Sequence, residues 1–279
     1  MCLPGTVETV REAIERDGAP RVDRRGALLA GGVAALGAAL PRTASAATPR
    51  RGGRHARDLT HTLRAGFPVY GTVPVEKQVL TTVQKDGFYA QRWSLNEHSG
   101  THMDAPAHFV ANGRHSPEIK LRELFVEVAV IDISGRADED ADAVVTVADL
   151  RSYERRHGRI PRRAGVFMHS GWESRVGDQE RFRNTGADGK FHFPGFGEEA
   201  VRWLLERRDP TCIGVDTLSL DPGNSTTFPV HKLLLGADKY GLEGLANLKR
   251  IPARGATAYV GLVPWDEGSG GPCRVIARW

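Results

Sequence analysis

The chain has 279 residues, 40% of them hydrophobic and 26% charged, with 32 glycines and 16 prolines. That balance belongs to globular proteins and excludes disordered and fibrous classes. A net charge of +4 is too mild to argue for a nucleic-acid partner.

In chain order, the first signal is "RRGALLAGGVAALGAALPRTASAA" at residues 24–47. Paired arginines, an uncharged run from Gly26 to Leu40 and the small residues Ala44, Ser45 and Ala46 are the parts of a twin-arginine export signal. The expectation is a cleaved signal over residues 1–47 and a single exported domain, periplasmic or extracellular, over 48–279. The uncharged run, 15 residues long, falls short of the ~20 needed to span a bilayer, so no stable membrane anchor is expected. Cleavage removes six arginines and five acids, moving the net charge from +4 to +3. "TPRRGGRHARD" then reads as a solvated basic tail.

Runs rich in Val, Ile and aromatics predict strands at 124–133, 164–170, 212–218 and 255–264. Helices are expected at 147–158, 197–209 and 230–237. In the second of these Val201, Leu204 and Leu205 form an apolar stripe, with Glu198 and Glu199 in the first turn and Arg207 and Arg208 in the last, charges that complement the helix dipole. Strands interleaved with helices imply an α/β fold with a mixed sheet and flanking helices. The glycine- and phenylalanine-rich stretch between Trp172 and Gly197 is read as a long loop that either walls a pocket or packs on the sheet. Cys212 and Cys273 either pair or remain buried thiols.

"EHSGTHMDAPAHF" at 97–109 places three of the chain's 10 histidines and an aspartate within one short segment. His98, Gly100, His102, Asp104, Pro106 and His108 all fall on even positions, and alternate residues of an extended chain share a face. A straight strand would hold His98 and His102 ~13 Å apart, too far for one ion, so the chain must bend, and Gly100 is where it can. Pro106 forbids an uninterrupted strand or helix through the segment. Imidazoles with a carboxylate suit zinc, manganese or iron. A serine nucleophile has no G-x-S-x-G elbow to stand on.

"HSGTHMDAPAHF" resembles the signature of the cyclase-like metal-dependent hydrolases, of the kynurenine formamidase and isatin hydrolase type. The likeness extends through "RDLTHTL" near the start, "HSGW" at 169–172, "GVDTLSLD" at 214–221, "HKLLLG" at 231–236, "LEGLANL" at 242–248 and "GSGGPCRVIA" at 268–277. It implies the family's swivelling β/β/α fold and a homo-oligomer, dimer or tetramer. It also implies that His98, His102, Asp104, His231 and Glu243 bind divalent metal, with Asp104 bridging, and that His108 moves protons. A glutamate at the last ligand, where the isatin hydrolase branch carries an amide and one ion, implies two ions here, zinc or manganese.

Metal-bound hydroxide would then cleave an amide, as in an aryl formamide or a cyclic amide of a small-molecule substrate. The family also admits lactone hydrolysis and a polyketide-type cyclisation or dehydration. A non-enzymatic metal- or ligand-binding protein outside the cytoplasm is the remaining alternative, and the intact His108 speaks against it. Tyr70, Phe88, Trp93 and Trp172 are candidate substrate contacts by their nearness to the motifs. Asp216 and Asp221 are candidate supporting carboxylates.

Overall fold

The computed structural model describes residues 55–279, so the expected export signal lies outside the described residues. The strands are β1 (Ala56–Asp58), β2 (Glu76–Thr81), β3 (Ala90–Ser94), β4 (His102–Asp104), β5 (Phe125–Asp132), β6 (Val144–Val145), β7 (Gly165–His169), β8 (Gly195–Phe196), β9 (Cys212–Val215), β10 (Tyr240–Glu243), β11 (Arg254–Leu262) and β12 (Gly270–Arg278). The three expected helices appear as Val147–His157, Glu198–Arg207 and Pro229–Gly236. Among the described residues no helix is long and apolar enough to cross a membrane.

The backbone divides into two units. In the smaller, the described part is Lys77–Trp93, the body of a two-stranded β2–β3 sheet turned through a short helix at Val83–Asp86. The larger holds Ser94–Trp279 and the segment preceding the hairpin.

In the larger unit eight strands pair in the order β1-β12-β11-β5-β7-β9-β10-β4, and β4 pairs again with β12. Seven strands, β12 to β4, therefore close on themselves, with β1 attached to β12. The run β5-β7-β9-β10 is parallel and the other pairings are antiparallel, which makes the mixed sheet that the sequence implies.

Side-chain alternation sorts two cores. Val126, Val128 and Val130 of β5 point into one with Met103, Phe167, Leu242 and Val275. Ala129 and Ile131 point to the other, where Leu150, Tyr153, Val201, Leu204, Leu234 and Leu235 bring in the three helices. Every residue of β7 is buried, as expected of a central parallel strand covered on both faces. The helix Val147–His157 starts on a capping box in which the Thr146 hydroxyl and the Asp149 carboxylate each accept from the other residue's backbone N–H.

The segment from Trp172 to Gly197 is more ordered than a long loop. It contains a 3-10 turn at Trp172–Arg175, a short helix at Gln179–Arg183 and β8. Trp172, Phe182, Phe193 and Leu218 pack into a core of their own beneath it.

Candidate metal centre

Strand pairing assembles the site. β4 is only three residues long, and all three are buried. Its antiparallel register with β10 sets Glu243 opposite His102 and Gly241 opposite Asp104. On its other edge β12 sets Pro272 opposite His102 and Gly270 opposite Asp104. The bend expected before β4 is present, with Gly100 at φ +74°, where an L side chain would be strained. His231 enters from the first turn of the helix Pro229–Gly236.

Five predicted ligands meet here. The Nδ1 of His98 lies 2.6 Å from Asp104 Oδ1, and His102 Nε2 lies 3.4 Å from that same oxygen and 3.2 Å from Glu243 Oε2. His231 Nε2 lies 3.1 Å from Glu243 Oε1 and 3.4 Å from Asp104 Oδ2.

The remaining hydrogen bonds decide what these contacts mean. His102 Nδ1 donates to the Gly100 carbonyl at 3.1 Å, and His231 Nδ1 donates to Asp221 Oδ2 at 2.6 Å. A neutral imidazole carries one N–H, so in each ring the Nε2 that faces the carboxylates is a lone pair. Lone pairs facing lone pairs at these distances repel unless a cation or a proton lies between them. Consistent with that, His102 Nε2 and Asp104 Oδ2 are buried without a hydrogen-bond partner. Burying Asp104 and Glu243 this deeply is costly without compensating charge. The donor set of imidazole nitrogens and carboxylate oxygens therefore fits a divalent cation of the zinc or manganese kind.

Without a metal, protons must fill that role. Burial pushes the His102 imidazole down, but the Asp104 and Glu243 carboxylates outweigh it and hold it up at about 10. His231 is opposed by burial in the same way and is raised well above its usual value by Asp104, Asp221 and Glu243. Burial would raise the Asp104 carboxyl, yet the imidazoles of His102, His231 and His98 that face it bring it well below the usual range.

His108 lies on the 3-10 turn Pro106–His108, whose leading proline ends the extended chain. Its ring stacks on His98 with centroids 3.8 Å apart. One ligand atom from each of His98, Asp104 and His108 lies within 4.8 Å of the others, and a second such set joins His102, Asp104 and Glu243. Burial holds the His108 imidazole below its ordinary value, against the opposing pull of Asp104.

These groups line a cavity of about 450 Å³, whose other walls include Phe67, Tyr70, Phe109, Phe182, Leu218 and Phe228. That volume suits a small molecule. Phe109 stacks on His231 at 4.8 Å and covers it.

Of the candidate substrate contacts, Tyr70 lines the cavity, with its ring edge-on to Phe228 at 5.9 Å. Trp172 does not. It is 1% exposed, its indole N–H donates to the Phe182 carbonyl at 2.7 Å, and it supports Phe182 and Leu218 from behind. A tryptophan beside a motif is as easily a packing residue as a contact, and here packing wins. Trp93 and Phe88 belong to the hairpin unit, where the Trp93 indole donates to Gln91 at 3.1 Å.

Cys212 and Cys273 are buried free thiols. Asp221 supports His231 as the sequence suggested, accepting also from the backbone N–H groups of Val230 and His231 at the helix start. Asp216 instead caps the turn after β7, accepting from Ser170 and Gly171. Sequence reasoning passed over Phe109 and Phe228. Phe109 sits next to His108 and Phe228 shortly before His231, and a scan of apolar neighbours of the ligands would have found both.

The Putative cyclase family model matches residues 57–222. An isatin hydrolase of Roseibium aggregatum is 34% identical over 216 residues, covering 74% of this chain and 81% of that protein. A kynurenine formamidase of Erythrobacter litoralis is 28% identical, covering 79% and 92%. Among solved structures, isatin hydrolase A from Ralstonia solanacearum superposes with a TM-score of 0.76 at 36% identity, covering 80% of this chain and 91% of that one. With the α/β fold and the His and Asp cluster at the mouth of β4, these matches place the chain in the Putative cyclase family, among the cyclase-like metal-dependent hydrolases.

Proposed function

We propose that the protein hydrolyses a carbon–nitrogen amide bond, in a cyclic amide or an aryl formamide, with one or two divalent ions held by His98, His102, Asp104, His231 and Glu243. The observation that carries this reading is the pair of Nε2 lone pairs of His102 and His231 aimed at two buried carboxylates on the floor of an aromatic cavity. Zinc or manganese held there would supply Lewis-acid polarisation of a carbonyl oxygen and would lower the pKa of water to about 7. The carboxylate of Asp104 faces His98 and His102 through one oxygen and His231 through the other, which supports a reading with more than one ion.

This chain's own residues do the rest. The ring nitrogen of His108 nearest Asp104 takes the proton from the attacking water and returns it to the departing amide nitrogen. Burial keeps that imidazole neutral, as an acceptor must be. Phe109 and Phe228 exclude bulk water, and Tyr70 adds an aromatic wall suited to a planar substrate. That its relatives include an isatin hydrolase and a kynurenine formamidase supports an aromatic amide. In this reading the enzyme works outside the cytoplasm, after loss of residues 1–47, and as a homo-oligomer.

The test is metal analysis of the purified protein followed by turnover of isatin and N-formylkynurenine in ¹⁸O-labelled water. One labelled oxygen in the carboxylate product is the expected result. Turnover without label would indicate cyclisation or dehydration, and a protein that retains no divalent ion after reconstitution would end the metal-dependent reading.

A further inference from the structure

His98 differs from the other two histidines in what holds its outer nitrogen. His102 is fixed by a backbone carbonyl and His231 by a fully buried carboxylate. His98 Nε2 instead meets the Ser269 hydroxyl at 2.9 Å, and that hydroxyl in turn bonds Glu97 Oε1. Glu97 also accepts from the Ser269 backbone N–H at 3.3 Å.

Proton counting gives this chain a direction. A carboxylate can only accept, so the single hydroxyl hydrogen of Ser269 goes to Glu97. The Ser269 oxygen is then an acceptor, and His98 Nε2 must carry the N–H. That leaves His98 Nδ1, 2.6 Å from Asp104, as the lone pair available to a cation. Without Glu97 the serine is free to donate to His98, and the ring would adopt the opposite tautomer with an N–H blocking the metal side.

The surrounding backbone is shaped around this contact. The Ser269 carbonyl accepts from Ala105 N–H at 2.9 Å, one residue beyond Asp104. A Cβ at Gly270 would lie 2.8 Å from His98 Cε1 and collide with the Met103 carbonyl, so the turn into β12 follows the imidazole closely. Because His108 stacks on the His98 face, the same contact also sets where the proton-moving ring sits.

We infer that Glu97 and Ser269 are positioning residues that act as a directional hydrogen-bond relay, presenting His98 Nδ1 to a divalent metal ion and keeping His98 in place beneath His108. The inference rests on the metal-dependent reading above.

The experiment uses the full protein stripped of metal by chelator dialysis and titrated with zinc, and separately manganese, against a chromophoric competing chelator. Wild type, Ser269→Ala, Ser269→Thr and Glu97→Ala are compared. Loss of a supporting hydrogen bond of this kind costs about 10–100-fold in metal affinity, which is the shift expected for Ser269→Ala and Glu97→Ala. Ser269→Thr keeps the hydroxyl and should restore most of the affinity, an outcome that a purely packing role would not give. Metal-free thermal unfolding reports on folding, and if Ser269→Ala fails to fold, the partly exposed Glu97 variant decides alone. Wild-type binding that is unchanged in Glu97→Ala and in any folded Ser269→Ala overturns the relay and leaves the metal site standing. Absence of binding by wild type overturns both.

Discussion

At the scale of single residues, His108 and His102 carry the same side chain in opposite electrostatic settings. His102 lies between two carboxylates and is held up at about 10, whereas His108 is displaced to the cavity wall, where burial outweighs Asp104 and lowers it. A group held near protonation binds poorly as a base, while one held neutral accepts readily. His108→Ala should therefore lower kcat by about 10²–10⁴-fold, the usual contribution of a positioned acid–base group. Metal content measured on the same preparation should match that of wild type if His108 moves protons. A variant that loses half its metal would instead make His108 a ligand, in the set it forms with His98 and Asp104.

At the scale of elements, the site depends on two backbone turns that only glycine serves comfortably. Gly100 and Gly244 both have positive φ, and a Cβ on Gly244 would lie 2.7 Å from the Gly100 carbonyl oxygen. Gly244 immediately follows Glu243, so this close approach helps to hold β10 against the loop that presents His98. Gly244→Ala combines backbone strain with a steric clash and should destabilise by roughly 1–3 kcal/mol, read as a lower urea midpoint at unchanged slope. An unchanged midpoint would mean that the two turns move apart at no cost.

The same elements explain what could be read from sequence. β5, β7, β9 and β11 were visible because each lies in a run rich in Val, Ile and aromatic residues, and the helix Glu198–Arg207 because its apolar stripe and end charges agree. The bend at Gly100 followed from chain geometry alone. β10 was not visible, since "YGLE" is four residues with a glycine inside and its strand character comes from pairing with β4 and β9 rather than from propensity. With β10 missing, the register that sets Glu243 opposite His102 could not be derived, and Glu243 and His231 rested on family resemblance. β12 did carry a local signal, with Cys273, Val275 and Ala277 inward and Arg274, Ile276 and Arg278 outward. The alternation is interrupted at its start by Pro272 and two glycines, where the strand serves the site instead of the core. Ser269 lies just before that stretch, and nothing in a lone serine announces a bond to a histidine 171 positions away.

For the whole molecule, the charge balance of the site becomes a dependence of stability on pH. In the metal-free protein His102 binds a proton up to about 10, whereas in the unfolded chain it releases it near 6.5. Its stabilising contribution is complete below about pH 6.5 and is lost as pH rises toward 10, because the folded state there binds more protons than the unfolded one. His231, shifted in the same direction, adds to that alkaline loss. Asp104 and His108 act oppositely: both are lowered in the fold, so their contributions are present above the unfolded values and disappear as pH falls. A divalent ion competes with the same protons, so its affinity should rise with pH over the range in which the metal-free protein weakens. At a free metal concentration of 1,000 times Kd, binding adds about 4 kcal/mol to stability. The melting temperature of the metal-free protein should therefore fall between pH 7 and 10, while that of the zinc- or manganese-loaded protein stays level, so that the gap between the two curves widens with pH. Parallel curves would show that the imidazoles of His102 and His231 do not exchange protons for metal.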